Sequence, residues 1–295
     1  MFVNFRHPSE LNEDFGDETV ELVDTKTNQS LGEHTLKKFW DGYSNISKRV
    51  KDSMGNPAIA KVSGWPGTFG DEFKETMPDR SSDFLRQLPI LCYTGRAAPL
   101  NLAASLPETF ARAEVGPRAS ITYGNLGVSH RGCGVYFERA DSINVLMHAQ
   151  IPRDLSPDDF RAKALRVMET LGCDNVLVQK CKEDKGYPLP AAIWTIFHPA
   201  DSDKIRDLLN KEAADRGDKY VRELNFDPFL EEHGAKIDDS LIKRLKDEYN
   251  VKPFIVAQLP GEAVFIPAGA PRQVSCIENF ILIGSKLPCN QRFMG

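Results

Sequence analysis

Cysteine and histidine are the side chains in this sequence with the widest chemical range, and their spacing limits what they could do. The cysteines are Cys92, Cys133, Cys173, Cys181, Cys276 and Cys289. None forms a Cys-x-x-Cys pair, which argues against a zinc ribbon or finger. Gly132-Cys133-Gly134 does not complete a Gly-rich nucleotide loop, and no motif gives Cys133 a His–acid partner pair for nucleophilic catalysis. We interpret the cysteines as reduced, mostly buried thiols.

The composition argues against several classes of protein. The 295 residues carry 37 Lys and Arg against 42 Asp and Glu, a formal net charge of −5. This mild acidity disfavours broad nucleic-acid binding, and we expect no direct sequence-specific binding to nucleic acid. No apolar run approaches the roughly 18 residues that would cross a bilayer, so no membrane partner is expected. A hydrophobic content of 41% is enough to build one large domain or two ordinary ones.

Hydrophobic periodicity changes along the chain, from mixed helices and strands to mostly strands. Residues 35–50 have the spacing of an amphipathic helix, and residues 71–77 and 81–88 are predicted as short helices that Pro78 and Pro89 end. The predicted strands that follow are 119–123, 135–139, 143–151, 191–197, 253–259, 263–267 and 272–285. Helices are predicted between them at 156–171, 201–216 and 240–249.

This order predicts one composite domain, because no Pro/Gly-rich linker and no repeat divides the chain. Residues 1–19 are predicted as a flexible leader. The domain then spans 20–295, with a mixed α/β segment over 20–118 and a strand-rich core over 119–295. Helical inserts in that core are predicted near 155–188 and 200–250.

Five segments in matching order carry a resemblance to a known family. Residues 261–271 resemble the penultimate strand pair of the JmjC domain in the KDM3-type histone H3 lysine-9 demethylases. Residues 39–49, 101–107, 192–197 and 243–249 match other parts of the same domain. The resemblance extends over nearly the whole chain.

The resemblance implies a fold that is mainly β with helical additions, the double-stranded β-helix or cupin-like jelly roll of the Fe(II)/2-oxoglutarate oxygenases. Active members hold iron with a His-x-Asp/Glu pair on one strand and a distant His on another. It also implies a nuclear location and partners among chromatin-associated proteins or the histone H3 tail. Related enzymes dimerise through this domain, so a homodimer is a further expectation.

The resemblance assigns the iron-ligand positions to residues of other chemical types. The first His position is Tyr136, the carboxylate position is Glu138 and the distal His position is Arg272. No histidine in the chain is followed two positions later by Asp or Glu. A phenol with a reference pKa of about 10 is a poor donor, and guanidinium has no lone pair to offer a metal. We predict no metal and no catalytic residue at these positions, and no cofactor for the chain.

Arg272 also suggests a structural substitute for the metal. A guanidinium projecting from the facing strand would fill the space that iron leaves and pair with the Glu138 carboxylate, with Tyr136 packed beside it. The alternative is that Arg272 points to solvent at a widened pocket mouth. These two arrangements differ in the burial of Arg272.

The co-substrate positions of the family are also altered. The lysine that holds the distal carboxylate of 2-oxoglutarate corresponds to Arg153, and a threonine corresponds to Cys133. Asn144 is retained, so a residual 2-oxoglutarate or other anion site would use Arg153, Asn144 and Cys133. The alternative for Arg153 is a surface arginine just after a proline. His148 lies in an apolar strand and is predicted to be a core histidine.

Three functions follow from these residues. The first is a catalytically inactive JmjC protein, a pseudo-demethylase that acts as a chromatin-associated scaffold or regulator. The second is an active Fe(II)/2-oxoglutarate-dependent demethylase with atypical ligands. The third is a metal-free sensor in which Arg153 or Arg272 holds an anion such as a dicarboxylate.

Overall fold

The computed structural model describes residues 7–67, 70–94, 98–101, 117–124, 134–217, 227–229 and 235–287. The α-helices are α1 (Pro8–Phe15), α2 (Leu36–Ser44), α3 (Gly70–Thr76), α4 (Pro78–Gln87), α5 (Leu91–Thr94), α6 (Pro157–Thr170), α7 (Asn175–Glu183), α8 (Ser202–Asp215) and α9 (Asp239–Tyr249). The strands are β1 (Thr19–Asp24), β2 (Ser30–Thr35), β3 (Ala60–Ser63), β4 (Pro117–Thr122), β5 (Asp141–Gln150), β6 (Ala192–Ile196), β7 (Phe254–Gln258), β8 (Ala263–Ile266), β9 (Arg272–Cys276) and β10 (Asn279–Leu287). No helix in the described part of the chain is long and apolar enough to span a lipid bilayer.

Two antiparallel sheets build the core. The larger sheet has the order β2-β1-β3-β4-β10-β5-β8, and the smaller has the order β7-β6-β9. Tyr136 extends the smaller sheet by an isolated antiparallel bridge to Arg272 in β9. This is the double-stranded β-helix that the resemblance predicted, with β1, β2 and β3 added to one edge of the larger sheet.

Alternation along β5 separates the interior of the jelly roll from the layer outside it. Ser142, Asn144 and Leu146 alternate with Ile143 and Val145, and all five are buried. Leu146 belongs to the apolar cluster between the sheets, whereas Ile143 and Val145 belong to the cluster under the N-terminal helices. Successive side chains of a strand point to opposite faces, so this one strand serves both cores.

A tryptophan and a glutamine fill the centre of the jelly roll. Trp194 is fully buried, and its indole Nε1 donates to Oε1 of Gln258 at 2.8 Å. The Gln258 amide in turn donates to the carbonyls of Asn144 and Glu262, both at 2.9 Å. A buried Trp N–H normally has a hydrogen-bond partner, and this pairing satisfies it.

Helical layers cover the outside of the sheets. Phe160 and Met168 of α6 pack with Ile193 of β6. On another side, Leu208 of α8 and Leu245 of α9 pack with Phe197. These layers correspond to the predicted helical inserts.

The structure differs from the prediction at the N-terminus. Part of the predicted flexible leader is helix α1, because Leu11 is 1% exposed in the N-terminal core. The strand β2 was not predicted, because its side chains are mostly exposed and lack apolar alternation. The helix α3 ends at Thr76, just before Pro78 as predicted, and Pro78 also begins α4, where a proline costs no backbone hydrogen bond.

Two predicted strands also differ in extent. The segment 272–285 is two strands, β9 and β10, because the backbone N–H groups of Ile277 and Glu278 both donate to the carbonyl of Ala191 and turn the chain. The segment 135–139 contributes only the bridge at Tyr136. Most of the helical turn predicted at 101–106 lies outside the described residues.

Candidate functional site

Backbone pairing brings together the three residues at the assigned iron-ligand positions. The N–H of Tyr136 donates to the carbonyl of Arg272 at 3.0 Å, and the N–H of Arg272 donates back to Tyr136 at 2.8 Å. Gly269, in the turn before β9, donates its N–H to the carbonyl of Glu138 at 2.7 Å. The chain before β5 is therefore held against the start of β9, and the three side chains meet there.

The Arg272 side chain turns inward and pairs with Glu138. Arg272 is 1% exposed, its Nη2 lies 3.2 Å from Oε1 of Glu138, and its Cζ lies 4.7 Å from the centre of the Tyr136 ring. The predicted salt bridge with Tyr136 beside it is confirmed, and the solvent-pointing alternative is wrong. The ring adds a cation–π contact to the ion pair.

The ion pair makes a single contact and leaves several polar atoms unsatisfied. Among the described residues, Glu138 Oε2 and Arg272 Nε and Nη1 have no hydrogen-bond partner. The pair is therefore not the two-bond fork that arginine and carboxylate often form. Buried polar groups without hydrogen-bond partners raise the free energy of the folded state and are rare in native structures, so this cluster is a candidate functional site.

A cavity of about 600 Å³ opens beside this pair. Its wall includes Asn144 of β5 and, from the N-terminal sheet extension, Lys61 and Trp65. The charged residues in its described lining are Lys26, Lys61, Arg118, Glu138, Lys236 and Arg272. Five cations and one carboxylate make this cavity positive in a chain whose formal net charge is −5.

Asn144 occupies the cavity wall because a glycine faces it. Asn144 pairs with Gly284 across β5 and β10, and a Cβ atom at Gly284 would lie 2.8 Å from Oδ1 of Asn144. The Asn144 amide Nδ2 donates to Oγ of Ser142 at 3.3 Å. Asn144 therefore lines the same cavity as Glu138 and Arg272.

Of the other predicted co-substrate residues, the structure describes Arg153, and it does not bring Arg153 to this place. Arg153 is exposed in the turn after β5, where its N–H donates to the carbonyl of Ser44 at 2.8 Å, and it is not among the cavity residues. Cys133 lies outside the described residues. His148 is paired with Ile281 in the sheet and lies near Tyr43, with ring centres 6.3 Å apart, away from the cavity.

Sequence reasoning missed the cations that line the cavity besides Arg272. Lys61 and Arg118 reach the cavity because β3 lies next to β4 in the larger sheet. Lys236 reaches it because its Nζ donates to the carbonyls of Thr25 and Lys26, at 3.0 and 2.9 Å. No local motif marks these residues, since only tertiary pairing brings them together.

The three side chains do not fit an Fe(II) ion. The guanidinium of Arg272 cannot donate an electron pair, and its Nη2 lies against the carboxylate oxygen that a metal would need. The fixed positive charge would also repel a divalent cation. In the part of the chain that the structure describes, no three His, Cys, Asp or Glu side chains are grouped as a metal site.

Comparison with known proteins gives clear relatives, although no family model matches the sequence. Lysine-specific demethylase 3 of Drosophila melanogaster is 34% identical over 278 residues, which are 94% of this chain and 32% of the relative. Lysine-specific demethylase 3A of Homo sapiens is 32% identical over 92% of the chain and 20% of the relative. The human "Probable JmjC domain-containing histone demethylation protein 2C" is 32% identical over 90% of the chain and 10% of the relative. The chain thus spans a third or less of the length of these relatives.

These relatives correct one prediction. The expectation that the chain uses no cofactor is wrong, because relatives sharing about a third of their residues with it are lysine demethylases. Fe(II) and 2-oxoglutarate, the cofactors of that class, are what this homology predicts. Over some nine-tenths of its length, this chain is a homologue of the lysine-specific demethylase 3 proteins, and it has the JmjC-type jelly roll.

Proposed function

We propose that this domain does not demethylate lysine at the Tyr136–Glu138–Arg272 centre and acts instead through protein contacts at chromatin. One observation carries the proposal. The buried Arg272 guanidinium, 3.2 Å from Glu138, occupies the position that the resemblance assigns to an iron-binding histidine. The domain would then be a pseudo-demethylase, a scaffold or regulator built on an oxygenase fold.

The chemistry of oxygenation supports this reading. An Fe(II) oxygenase needs three protein donors on one face of the metal and open positions for 2-oxoglutarate and oxygen. Here one donor position is a cation and a second is a phenol, so Glu138 is the one ordinary ligand of the three. A reaction that depends on metal at this position would lose most of its rate.

Charge complementarity supports a basic partner for the outer surface. The chain has a formal net charge of −5, and a histone H3 tail is rich in lysine and arginine. The cavity itself is lined by five cations and would oppose entry of a methylated lysine, which is positively charged. We therefore propose nuclear, chromatin-associated partners that bind outside the cavity, with a homodimer as a further arrangement.

A demethylation assay tests the catalytic half of the proposal. The purified domain is incubated with Fe(II), 2-oxoglutarate and histone H3 peptides methylated on lysine 9, and methyl loss is followed by mass spectrometry. An active relative serves as the positive control. We expect no loss of methyl groups. Turnover by the wild-type domain would contradict the proposal and favour an active demethylase with atypical ligands.

A binding assay tests the chromatin half independently. Reconstituted nucleosomes and unmodified H3 peptides are titrated against the wild-type domain and an Arg272→Lys variant. We expect binding that the variant retains, because the contact surface lies outside the cavity. Absence of binding to both would leave the chromatin role without support and would contradict it.

A further inference from the structure

Exposed apolar side chains are concentrated at one place on the surface, where α4 leads into α5. Ile90, Leu91, Tyr93 and Leu100 are four of the eight large apolar residues that are exposed in the described part of the chain. The N–H of Leu100 donates to the carbonyl of Cys92 at 3.1 Å, which holds Leu100 against α5. We call these four residues the apolar platform. Grouped apolar residues at a surface are typical of interaction sites, whereas single ones are normal.

The backbone of the platform is held in an unfavourable conformation at Ile90. This residue has φ +57°, in the left-handed region that a β-branched side chain rarely adopts. Its carbonyl is fixed by the N–H groups of Tyr93 and Thr94, at 2.9 and 3.1 Å. Glycine would adopt this conformation at less cost, and the Ile90 side chain is 52% exposed. A contact of that side chain with another molecule would offset the cost.

The helices that adjoin the platform carry the excess negative charge of the chain. Residues 8–18, in α1 and the turn after it, have five carboxylates and no Lys or Arg. Residues 70–87, in α3 and α4, have five carboxylates and three cations. The two segments sum to a formal charge of −7, so the rest of the chain, whose total is −5, carries +2. One of the three cations, Arg80, is paired with Asp14 at 2.5 Å, and this bond ties α1 to α4.

The acidic residues of α4 are aligned with the platform. Asp79, Asp83 and Arg86 follow one another at i, i+4 and i+7, so they lie along one stripe of the helix that ends near Ile90. Asp79 is exposed and Asp83 is half-buried. The ten residues of α4 span about 15 Å, and four turns of a partner helix span about 21 Å. One partner helix is therefore long enough to contact both the platform and the two aspartates.

We propose that the apolar platform and the Asp79–Asp83 stripe bind a basic amphipathic helix of a partner protein. Its apolar face would cover the platform, and its lysine or arginine side chains would meet the two aspartates. The inference rests on the proposed function, because it assigns a surface to the protein contact proposed there. None of these residues lines the cavity beside Arg272.

The test uses the purified domain and a synthetic peptide as the probe. The peptide has about 14 leucine and lysine residues, arranged so that a helix has one apolar and one basic face. One control peptide has glutamate in place of lysine, and another has glutamine in place of leucine. Fluorescence anisotropy is measured at low and high salt. We expect binding of the first peptide alone, and weaker binding at high salt because the charges are exposed.

A pair of double variants tests the apolar half of the surface. Leu91→Ser with Leu100→Ser removes two apolar side chains that the peptide would cover, and it should weaken binding at least tenfold. Met54→Ser with Val176→Ser, at exposed apolar residues outside the platform, is the matched control and should bind as the wild type does.

A second pair tests the acidic half at constant net charge. Asp79→Asn with Asp83→Asn should weaken binding about fivefold at low salt and have little effect at high salt. Asp215→Asn with Asp247→Asn, at exposed residues of α8 and α9, changes the net charge equally and should leave binding unchanged. Equal effects of the two pairs would show that net charge, and not this stripe, attracts the peptide.

Ile90→Gly separates binding from folding. Glycine relieves the left-handed strain, so the variant should keep or raise Tm, while loss of the apolar side chain should weaken peptide binding several-fold.

Two results would overturn the proposal. The first is a peptide affinity that is the same in the Leu91→Ser, Leu100→Ser variant and its control. The second is a dimer of the peptide-free domain in analytical ultracentrifugation that this variant abolishes, because a second copy would then cover the platform. Nucleosome binding by a domain that does not bind the peptide would overturn this surface and leave the proposed function intact.

Discussion

Arg272 and Glu138 are joined by one contact of 3.2 Å between Nη2 and Oε1, although their side chains differ in exposure, at 2% and 23%. The guanidinium is thus almost removed from water, while the carboxylate retains some hydration. The free energy of the pair is dominated by the arginine, whose desolvation is offset, among the described residues, by Glu138 and the Tyr136 ring.

Removing the Glu138 charge alone should therefore lower the free energy of unfolding more than removing the charges of Glu138 and Arg272 together. Glu138→Ala leaves the Arg272 cation buried and unpaired, and we expect a loss of about 3 kcal/mol in the free energy of unfolding. For a domain of this size that corresponds to a fall of roughly 5 °C in Tm. Arg272→Ala should also lower Tm, because the pair takes a structural role.

The double variant Glu138→Gln, Arg272→Met is the matched control. It replaces the ion pair by groups of similar volume without a buried charge, and it should recover most of the lost stability. Calorimetry of the three variants measures this. Equal losses in the Glu138→Ala and double variants would show that packing, and not charge, dominates at this site.

Two substitutions should create a high-affinity metal site at the same place. Tyr136→His with Arg272→His would supply two imidazoles to join Glu138, the donor set that Fe(II) oxygenases use. We expect the double variant to bind Mn(II), an air-stable substitute for Fe(II), more tightly than the wild type by isothermal calorimetry. Adding Glu138→Ala should remove that gain. Equal affinities in wild type and double variant would refute the assignment of these positions.

The ion pair could be predicted from the sequence because the resemblance assigns Glu138 and Arg272 to positions that meet around one metal. The backbone bridge between Tyr136 and Arg272 brings these positions together. The positive cavity could not be predicted in this way. Lys61 and Arg118 lie far apart in sequence and carry no motif, and they converge only because β3 and β4 are neighbours.

Errors in the predicted elements have the same physical origin. In α1 a few apolar positions, Leu11 above all, hold the helix against the core, and its many charged residues hid that signal. The break between β9 and β10 depends on two backbone N–H groups that share the carbonyl of Ala191. Local sequence does not record such tertiary contacts, so a continuous apolar segment was predicted as one strand.

Asn279 should be among the most sensitive polar residues in the fold. It is fully buried, its Oδ1 accepts from Arg49 Nη2 at 2.9 Å and from the N–H of Gly124 at 2.7 Å, and its Nδ2 donates to the carbonyl of Tyr43. Asn279 is the first residue of β10, and its bond to Tyr43 ties this strand to α2. Burial already lowers the pKa of Arg49 to about 10, so this cation depends on its few partners.

Asn279→Ala removes all three contacts and should cost about 3 kcal/mol in urea unfolding, mainly because Arg49 is left without its amide partner. Asn56→Ala, at an exposed asparagine, is the control and should change stability by less than about 0.5 kcal/mol. Similar losses for the two variants would mean that the network contributes little.

Glu278 should make the domain less stable as the pH rises from about 4.5 to about 7. Burial raises the pKa of Glu278 from 4.5 to about 7. Between these values the folded state holds a proton that the unfolded state has released, so the free energy of unfolding falls as pH increases from about 4.5 to about 7. The full loss from this residue is on the order of 3 kcal/mol, present above about pH 7 and absent below about pH 4.5.

Glu278→Gln removes the ionisable group, so the variant should be more stable than the wild type at about pH 8, with a difference that shrinks as the pH falls toward 5. Urea unfolding across this range measures the difference directly. The same substitution at an exposed residue of α3, Glu75→Gln, is the matched control. If the difference in the free energy of unfolding between the wild type and Glu278→Gln is the same at every pH, Glu278 is not a buried, protonated residue. This residue directly precedes Asn279, and its N–H donates to the carbonyl of Ala191, so its ionisation would loosen the turn that separates β9 from β10.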